Sequence, residues 1–276
     1  MSVMGRVARR RMRKAARKAN GEPLSPEDWE VFFELATDPA ELRLKRFMCA
    51  LPSSPRCGVC GAPFAGIGGR LIRPLGYRQS RKCPQLCATC VEASPPGGMT
   101  MRTGVLFADI RGFTSISERS DPAAVSAMLR RFYAAAEDVL FPDALIDKLI
   151  GDEVMALYLP YGRLREDAAA VMLEHARLLL TAVGYGGRDC PLAEVGVGLD
   201  YGEAFVGNVG GGSYSDFTAV GDVVNVASRL QSQAGGGEIV ASARLVERLP
   251  GDPPGERVAF DLKGKAEPVA AYRIRP

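Results

Sequence analysis

From about residue 100 onward the apolar positions fall into two rhythms. Val105-Leu106-Phe107-Ala108 is a short apolar run that closes on Asp109 and a glycine turn, which predicts a buried strand over 103–110. A helix is predicted near 121–139. Ala144-Leu145-Ile146-Asp147-Lys148-Leu149-Ile150 then passes through Gly151-Asp152 into Val154-Met155-Ala156-Leu157-Tyr158-Leu159, the pattern of a hairpin with strands near 144–149 and 153–159. A helix over 165–182, strands near 194–201 and 203–208, and an amphipathic helix from Val223 to Gln233 complete the series. Strands alternating with helices predict an α/β sandwich, helices against one sheet.

The first hundred residues follow a different pattern. Ser25-Pro26-Glu27-Asp28 is a helix start, with a serine cap, a proline in the first turn and acids that complement the dipole. Trp29, Val31, Phe32, Phe33 and Leu35 give that helix an apolar face, and Pro39-Ala40-Glu41-Leu42 opens a second helix reaching about Cys49. Two Cys-x-x-Cys pairs, Cys57/Cys60 and Cys87/Cys90, bracket a glycine-rich basic loop. Paired in this way, Cys57, Cys60, Cys87 and Cys90 are the preferred ligands of a structural Zn²⁺, with Cys83 a spare thiol; an iron–sulfur cluster would use the same thiolates. The expected organisation is a basic tail over 1–22, a helical segment over 23–54, a four-cysteine module over 55–98 and a large domain over 99–276.

Composition bounds this organisation. At 276 residues there is room for one large domain and a smaller module. Seven cysteines, an odd number with Cys49 and Cys190 isolated, fit a reducing, cytoplasmic setting better than a disulfide framework. No stretch approaches the ~20 apolar residues needed to cross a bilayer. The net charge of +3 conceals a basic amino terminus with no acid among its first 20 residues. That tail suits an anionic membrane surface, at ~1 kcal/mol per basic residue, and equally suits a solvated tail. A nucleic-acid role is disfavoured by the modest net charge and by the lack of aromatic residues among the basic ones.

The candidate chemistry begins with two aspartates. Asp109, in Phe107-Ala108-Asp109-Ile110-Arg111-Gly112, and Asp152, in Lys148-Leu149-Ile150-Gly151-Asp152-Glu153, each follow an apolar run and meet a glycine. Taken singly, an aspartate beside a glycine is a turn former. Two at one sheet edge are the hard oxygen ligands that Mg²⁺ shares with a substrate's phosphates. A third segment, Asp216-Phe217-Thr218-Ala219-Val220-Gly221-Asp222-Val223-Val224-Asn225-Val226-Ala227-Ser228-Arg229-Leu230, sets Asn225 and Arg229 four residues apart on one helix face. With these three motifs in order, the chain resembles the class III nucleotidyl cyclases, the adenylate and guanylate cyclases, over roughly Thr100 to Pro276.

The resemblance implies a ferredoxin-like palm and a set of roles. Asp109 and Asp152, with the Ile110 carbonyl, would bind two Mg²⁺ or Mn²⁺ ions. Lys148 and Thr218 would read the purine, and a Lys with an Asp or Thr there goes with adenine, so ATP is the expected substrate. Asn225 would orient the ribose and Arg229 would stabilise the charged phosphorane. Lys263, or Lys265 two residues on, would hold the β- and γ-phosphates. The glycine-rich stretch Gly202 to Asp216 resembles the family's hairpin arm, and the family's active sites form between two protomers, so a homodimer is implied. The alternatives are guanylate or another nucleotidyl cyclase, or a catalytically silent cyclase-like binding module. His175 has no partner visible in sequence and is given no chemistry.

Overall fold

A computed structural model describes residues 25, 27–30, 39–52, 55–57, 60–80, 86–93, 97–141, 143–160, 164–187, 191–211 and 214–275. The basic tail, the apolar positions Val31 to Leu35, Cys83 and Cys190 lie outside these residues. The chain divides into two compact units, Met1–Met101 with Phe205–Val220, and Arg102–Ala204 with Gly221–Pro276.

In the first unit the expected serine cap is present: the Asp28 backbone N–H donates to Ser25 Oγ at 3.3 Å, and residues 27–30 are helical. Trp29 on that turn is fully buried. Helix α1 (Pro39–Ala50) follows. The Arg56 guanidinium ties the end of α1 to the first cysteine pair by donating to the carbonyls of Met48 (3.0 Å), Leu51 (2.6 Å) and Gly61 (3.2 Å). The segment between the cysteine pairs, expected as a loop, contains helix α2 (Gly66–Ile72) and a 3₁₀ turn (Arg73–Leu75). Its glycines serve close packing: a Cβ on Gly68 would stand 2.5 Å from the Pro52 carbonyl oxygen. The short α3 (Ala88–Ala93) follows Cys87 directly and carries Cys90.

From Gly98 onward the strands and helices come nearly as the pattern predicts. They are β1 (Gly98–Ile110), α4 (Phe113–Arg119), α5 (Pro122–Leu140), β2 (Leu145–Ile150), β3 (Glu153–Tyr158), α6 (Leu164–Ala182), β4 (Val195–Gly211), β5 (Tyr214–Val220), α7 (Asp222–Gln233), β6 (Ile239–Ser242), α8 (Ala243–Val246), β7 (Glu256–Phe260) and β8 (Val269–Ile274). The sheet order is β2-β3-β1-β4-β6-β8-β7, with β5 pairing the far end of β4 in the first unit. β4 and β6 are parallel, whereas β1–β3, β2–β3, β4–β5, β6–β8 and β7–β8 are antiparallel. The α/β sandwich expected from the alternation is therefore present.

One expectation is corrected. The break near Gly202 does not exist, and 195–211 is one strand. Gly202 is not a turn residue: a Cβ there would stand 3.3 Å from the Arg244 guanidinium, so the glycine makes room for that side chain.

Alternation along the strands decides which face carries chemistry. Leu106, Ala108 and Ile110 of β1, Val154, Ala156 and Tyr158 of β3, and Ile239 and Ala241 of β6 enter one core with Phe132, Ala136 and Leu140 of α5 and Met172 and Leu179 of α6. Val240 points the other way, into a second cluster with Val226 and Leu230 of α7 and Ala234 just beyond it. Helix α7 thus lies on the sheet face opposite α5 and α6. Asp109, out of step with Ala108 and Ile110, belongs to the α7 face.

Candidate active site

Asp109 is the penultimate residue of β1, and its register partner on β3 is Glu153. That pairing brings the Gly151–Asp152 turn of the β2–β3 hairpin to the end of β1. Gly151 turns with φ 62°, a left-handed conformation. Tyr133 on α5 pins the turn by donating its hydroxyl to the Gly151 carbonyl. The Asp152 carboxyl stands beside that of Asp109, and burial together with that neighbour pushes Asp109 up to about 7. Arg111, 3.4 Å from Asp109 Oδ2, opposes the shift without cancelling it. Burial and the Asp152 charge also raise Glu153. Asp109 Oδ1 is buried with no hydrogen-bond partner among the described residues. Crowded carboxylates with an unused acceptor fit a hard divalent cation, which would satisfy the lone pairs and remove the repulsion. The Ile110 side chain is buried in the core, so its contribution to such a site is limited to its backbone carbonyl.

A second group gathers at the start of α7. Asn225 and Arg229 lie one turn apart, Asn225 exposed and Arg229 half-buried. The Lys263–Gly264 turn lies against Arg229: a Cβ on Gly264 would stand 3.5 Å from its guanidinium. Lys265 is committed elsewhere, its Nζ 2.6 Å from Asp222 Oδ1, and that bond holds the Asp222 carboxyl below its usual range. Lys263 is exposed and makes no such bond among the described residues. Asp222 also lies 3.5 Å from Arg244, which pairs with the fully buried Asp200. Asp200 accepts from Ser242 Oγ at 2.5 Å as well, so the first turn of α7 is anchored through charges that are satisfied below it.

The expected purine readers are placed less completely. Thr218 is buried on β5 in the first unit, opposite Gly207 of β4. Lys148 stands on β2 opposite Met155, next to a register shift at Ile146/Lys148, and its side chain lies outside the described residues.

The four preferred cysteines converge. The Sγ atoms of Cys57, Cys60, Cys87 and Cys90 all lie within 4.8 Å of one another, with Cys60 and Cys87 at 3.7 Å. Backbone N–H groups of Cys87 and Cys90 donate to Cys57 Sγ at 3.3 Å and Cys87 Sγ at 3.4 Å, which stabilises sulfur as thiolate. Neighbouring thiols hold Cys57 well below the ordinary thiol range and push Cys60 and Cys90 above it. The cluster resists carrying four charges at once, and a dication would relieve this.

Some partners had little or no sequence signal. Arg111 and Glu153 adjoin the two aspartates and were within reach of the motif. Tyr133 is one aromatic residue in a helix and only the hairpin geometry reveals it. His175 has partners after all: Tyr158 Oη at 3.0 Å from Nδ1 and Asp143 at 3.6 Å from Nε2, all packed beneath α6 on the face away from Asp109.

Comparison with known proteins bears on the second unit and the hairpin. The family model described as the adenylate and guanylate cyclase catalytic domain matches residues 99–274. An adenylate cyclase of Anabaena cylindrica is 30% identical over 193 residues, 64% of this chain and 37% of that protein. An uncharacterised protein of Mycobacterium tuberculosis is 34% identical over 172 residues, 62% of this chain and 40% of that protein. The chain thus spans well under half the length of these relatives. Among solved structures, the guanylyl cyclase Cya2 is 28% identical with a TM-score of 0.52, covering 64% of this chain and 93% of that one. The adenylyl cyclase CyaB from P. aeruginosa is 27% identical with a TM-score of 0.53, covering 64% and 96%.

Proposed function

We propose that this chain, which belongs to the adenylate and guanylate cyclase catalytic-domain family, converts ATP to 3′,5′-cyclic AMP and pyrophosphate. The observation that carries the reading is the Asp109–Asp152 pair, crowded, partly buried and with an acceptor unused, on the same sheet face as α7. In the reaction the ribose 3′-oxygen bonds to the α-phosphorus, the bond to the β-phosphate oxygen breaks, and the hydroxyl proton is lost. Asp109, Asp152 and the Ile110 carbonyl would hold Mg²⁺ or Mn²⁺, which would supply Lewis acidity for the phosphoryl transfer. Asn225 orients the ribose. Arg229, braced against the Gly264 turn, presents fixed positive charge where the phosphorane gains negative charge. Lys263 holds the β- and γ-phosphates, a role supported by its freedom from the ion pair that engages Lys265. Lys148 and Thr218 read the adenine edge.

The active sites form between two copies of the chain, each giving its aspartates to one site and its Asn225 and Arg229 to the other. The four-cysteine cage holds one structural Zn²⁺. A Zn–S bond of about 2.3 Å gives a tetrahedron with edges of about 3.8 Å, close to the 3.7 Å between Cys60 and Cys87. An iron–sulfur cluster spreads its ligands over several irons, and four sulfurs within 4.8 Å suit a single ion better. The protein works in the cytoplasm, and its basic tail touches anionic lipid. No helix among the described residues is long and apolar enough to cross a membrane.

A second reading, cyclisation of GTP, is favoured by the likeness to Cya2, a guanylyl cyclase. The residue pair decides between them: Lys148→Glu with Thr218→Cys is expected to lower kcat/KM for ATP and raise it for GTP. An unchanged ratio would refute adenine reading by these two side chains.

A further inference from the structure

We propose that zinc in the four-cysteine cage holds the rung of the β4–β5 hairpin that carries Thr218, so that metal occupancy controls nucleotide binding. The inference rests on the zinc and nucleotide readings above and adds the connection between them. Cage and hairpin lie in one compact unit, Met1–Met101 with Phe205–Val220.

Two attachments from the amino-terminal segment land on the same place in the hairpin. The first comes from β1. The second cysteine pair sits at the start of α3, which ends at Ala93, and four residues later the Gly97 carbonyl accepts from the Asn208 backbone N–H at 2.7 Å. Next to that bond the chains touch backbone to backbone: a Cβ on Gly207 would stand 2.3 Å from both the Gly97 oxygen and the Gly98 Cα. Gly207 is the register partner of Thr218. The second attachment comes from Trp29, whose ring packs 6.1 Å from that of Phe217. Phe217 is the register partner of Asn208 and the neighbour of Thr218. Adjacent rungs, Asn208–Phe217 and Gly207–Thr218, are therefore contacted on both strands by the amino-terminal segment that carries the cage.

On the cage side, both cysteine pairs are tied to their surroundings. Arg56, the residue before Cys57, binds three carbonyls from α1 and the first cysteine turn. Backbone N–H groups of Cys87 and Cys90 donate to cage sulfurs, so the first turn of α3 takes its place from the cluster. With the metal gone, nothing bonds the four sulfurs to one centre, the cage opens, and α3 loses the cluster that places its first turn. Hairpin closeness of this kind tolerates no slack, because Gly207 has no side chain with which to bridge a gap.

Trp29 is the single tryptophan of the chain, so its emission reports this contact without a label. The experiment uses the full-length zinc-loaded protein in Mg²⁺ with a chelator selective for zinc over magnesium. Zinc content is followed by elemental analysis, Trp29 emission by fluorescence, and binding of 3′-deoxy-ATP, which cannot cyclise, by calorimetry. Zinc removal should move Trp29 emission to longer wavelength and weaken 3′-deoxy-ATP binding severalfold, and restored zinc should reverse both. Phe217→Leu should keep its zinc yet show the same weakened binding, which separates the contact from collapse of the module. The proposal is overturned if zinc leaves while emission and nucleotide affinity stay put, or if Phe217→Leu binds nucleotide like the parent. A protein that takes up no zinc refutes the metal reading and the proposal with it. Since neither readout requires turnover, a linked response without cyclic nucleotide would support the connection while the cyclase reading failed.

Discussion

Asp109 carries a conflict that the sequence alone only hints at. An aspartate beside a glycine turn is ordinary, but the register that opposes Asp109 to Glu153 delivers Asp152 to it, and burial together with that neighbour raises its pKa to about 7. The unfolded value is ~3.9, so between these limits the folded chain holds a proton that the unfolded chain releases. Stability without divalent cations should therefore fall as pH rises from about 4 through about 7, and the cost is fully present above that. At pH 8 without cations, Asp109→Asn should melt higher than the parent, by an amount on the order of 1–2 kcal/mol after solvent screening. The gap should narrow as pH falls below about 7 and close near pH 4, and Mg²⁺ should stabilise the parent far more than the variant. Equal melting of the two proteins at pH 8 would show that the pair is not crowded. The residue types were readable in sequence, but Tyr133, Asp222 and the choice between Lys263 and Lys265 were not, because each depends on a contact across the fold. The bond between Lys265 and Asp222 is such a contact.

At the scale of elements, local signals did well where chain chemistry sets the ends. Asp121 caps α5, its Oδ2 accepting from Ala123 and Ala124 N–H at 3.1 and 3.2 Å, and Pro122 takes the first helical position. Asp121→Ala should cost about 1 kcal/mol in denaturant unfolding, while leaving the nucleotide KM unchanged. A cost near zero would mean that packing of Phe132, Ala136 and Leu140 sets the helix start instead. Glycine was the misleading signal. It suggested a break at Gly202 and a loop between the cysteine pairs, yet in both places it admits a neighbour, the Arg244 guanidinium in one and the Pro52 carbonyl in the other. A glycine that makes room and a glycine that turns look the same until the neighbour is known.

For the whole molecule, the strand–helix order was enough to predict the α/β sandwich, because buried strands and amphipathic helices leave few ways to cover one sheet. The grouping of the β4–β5 hairpin with the amino-terminal segment could not be read, since it joins residues more than a hundred positions apart. The shared-site reading makes its own prediction at this scale. Asp109→Ala and Arg229→Ala should each lose activity alone, by ~10²–10³ or more, and mixing them should restore up to about a quarter of the parent rate through mixed dimers with one intact site. Absence of any recovery on mixing, with dimers shown to exchange, would place all the groups of one site on one chain. The central claim is tested most directly by incubating the purified protein with Mg²⁺ or Mn²⁺ and each of ATP, GTP, CTP and UTP beside the Asp109→Ala variant. The account predicts cyclic AMP from ATP that disappears in the variant. No cyclic nucleotide from any of the four at high protein concentration, or equal product from the variant, would contradict it.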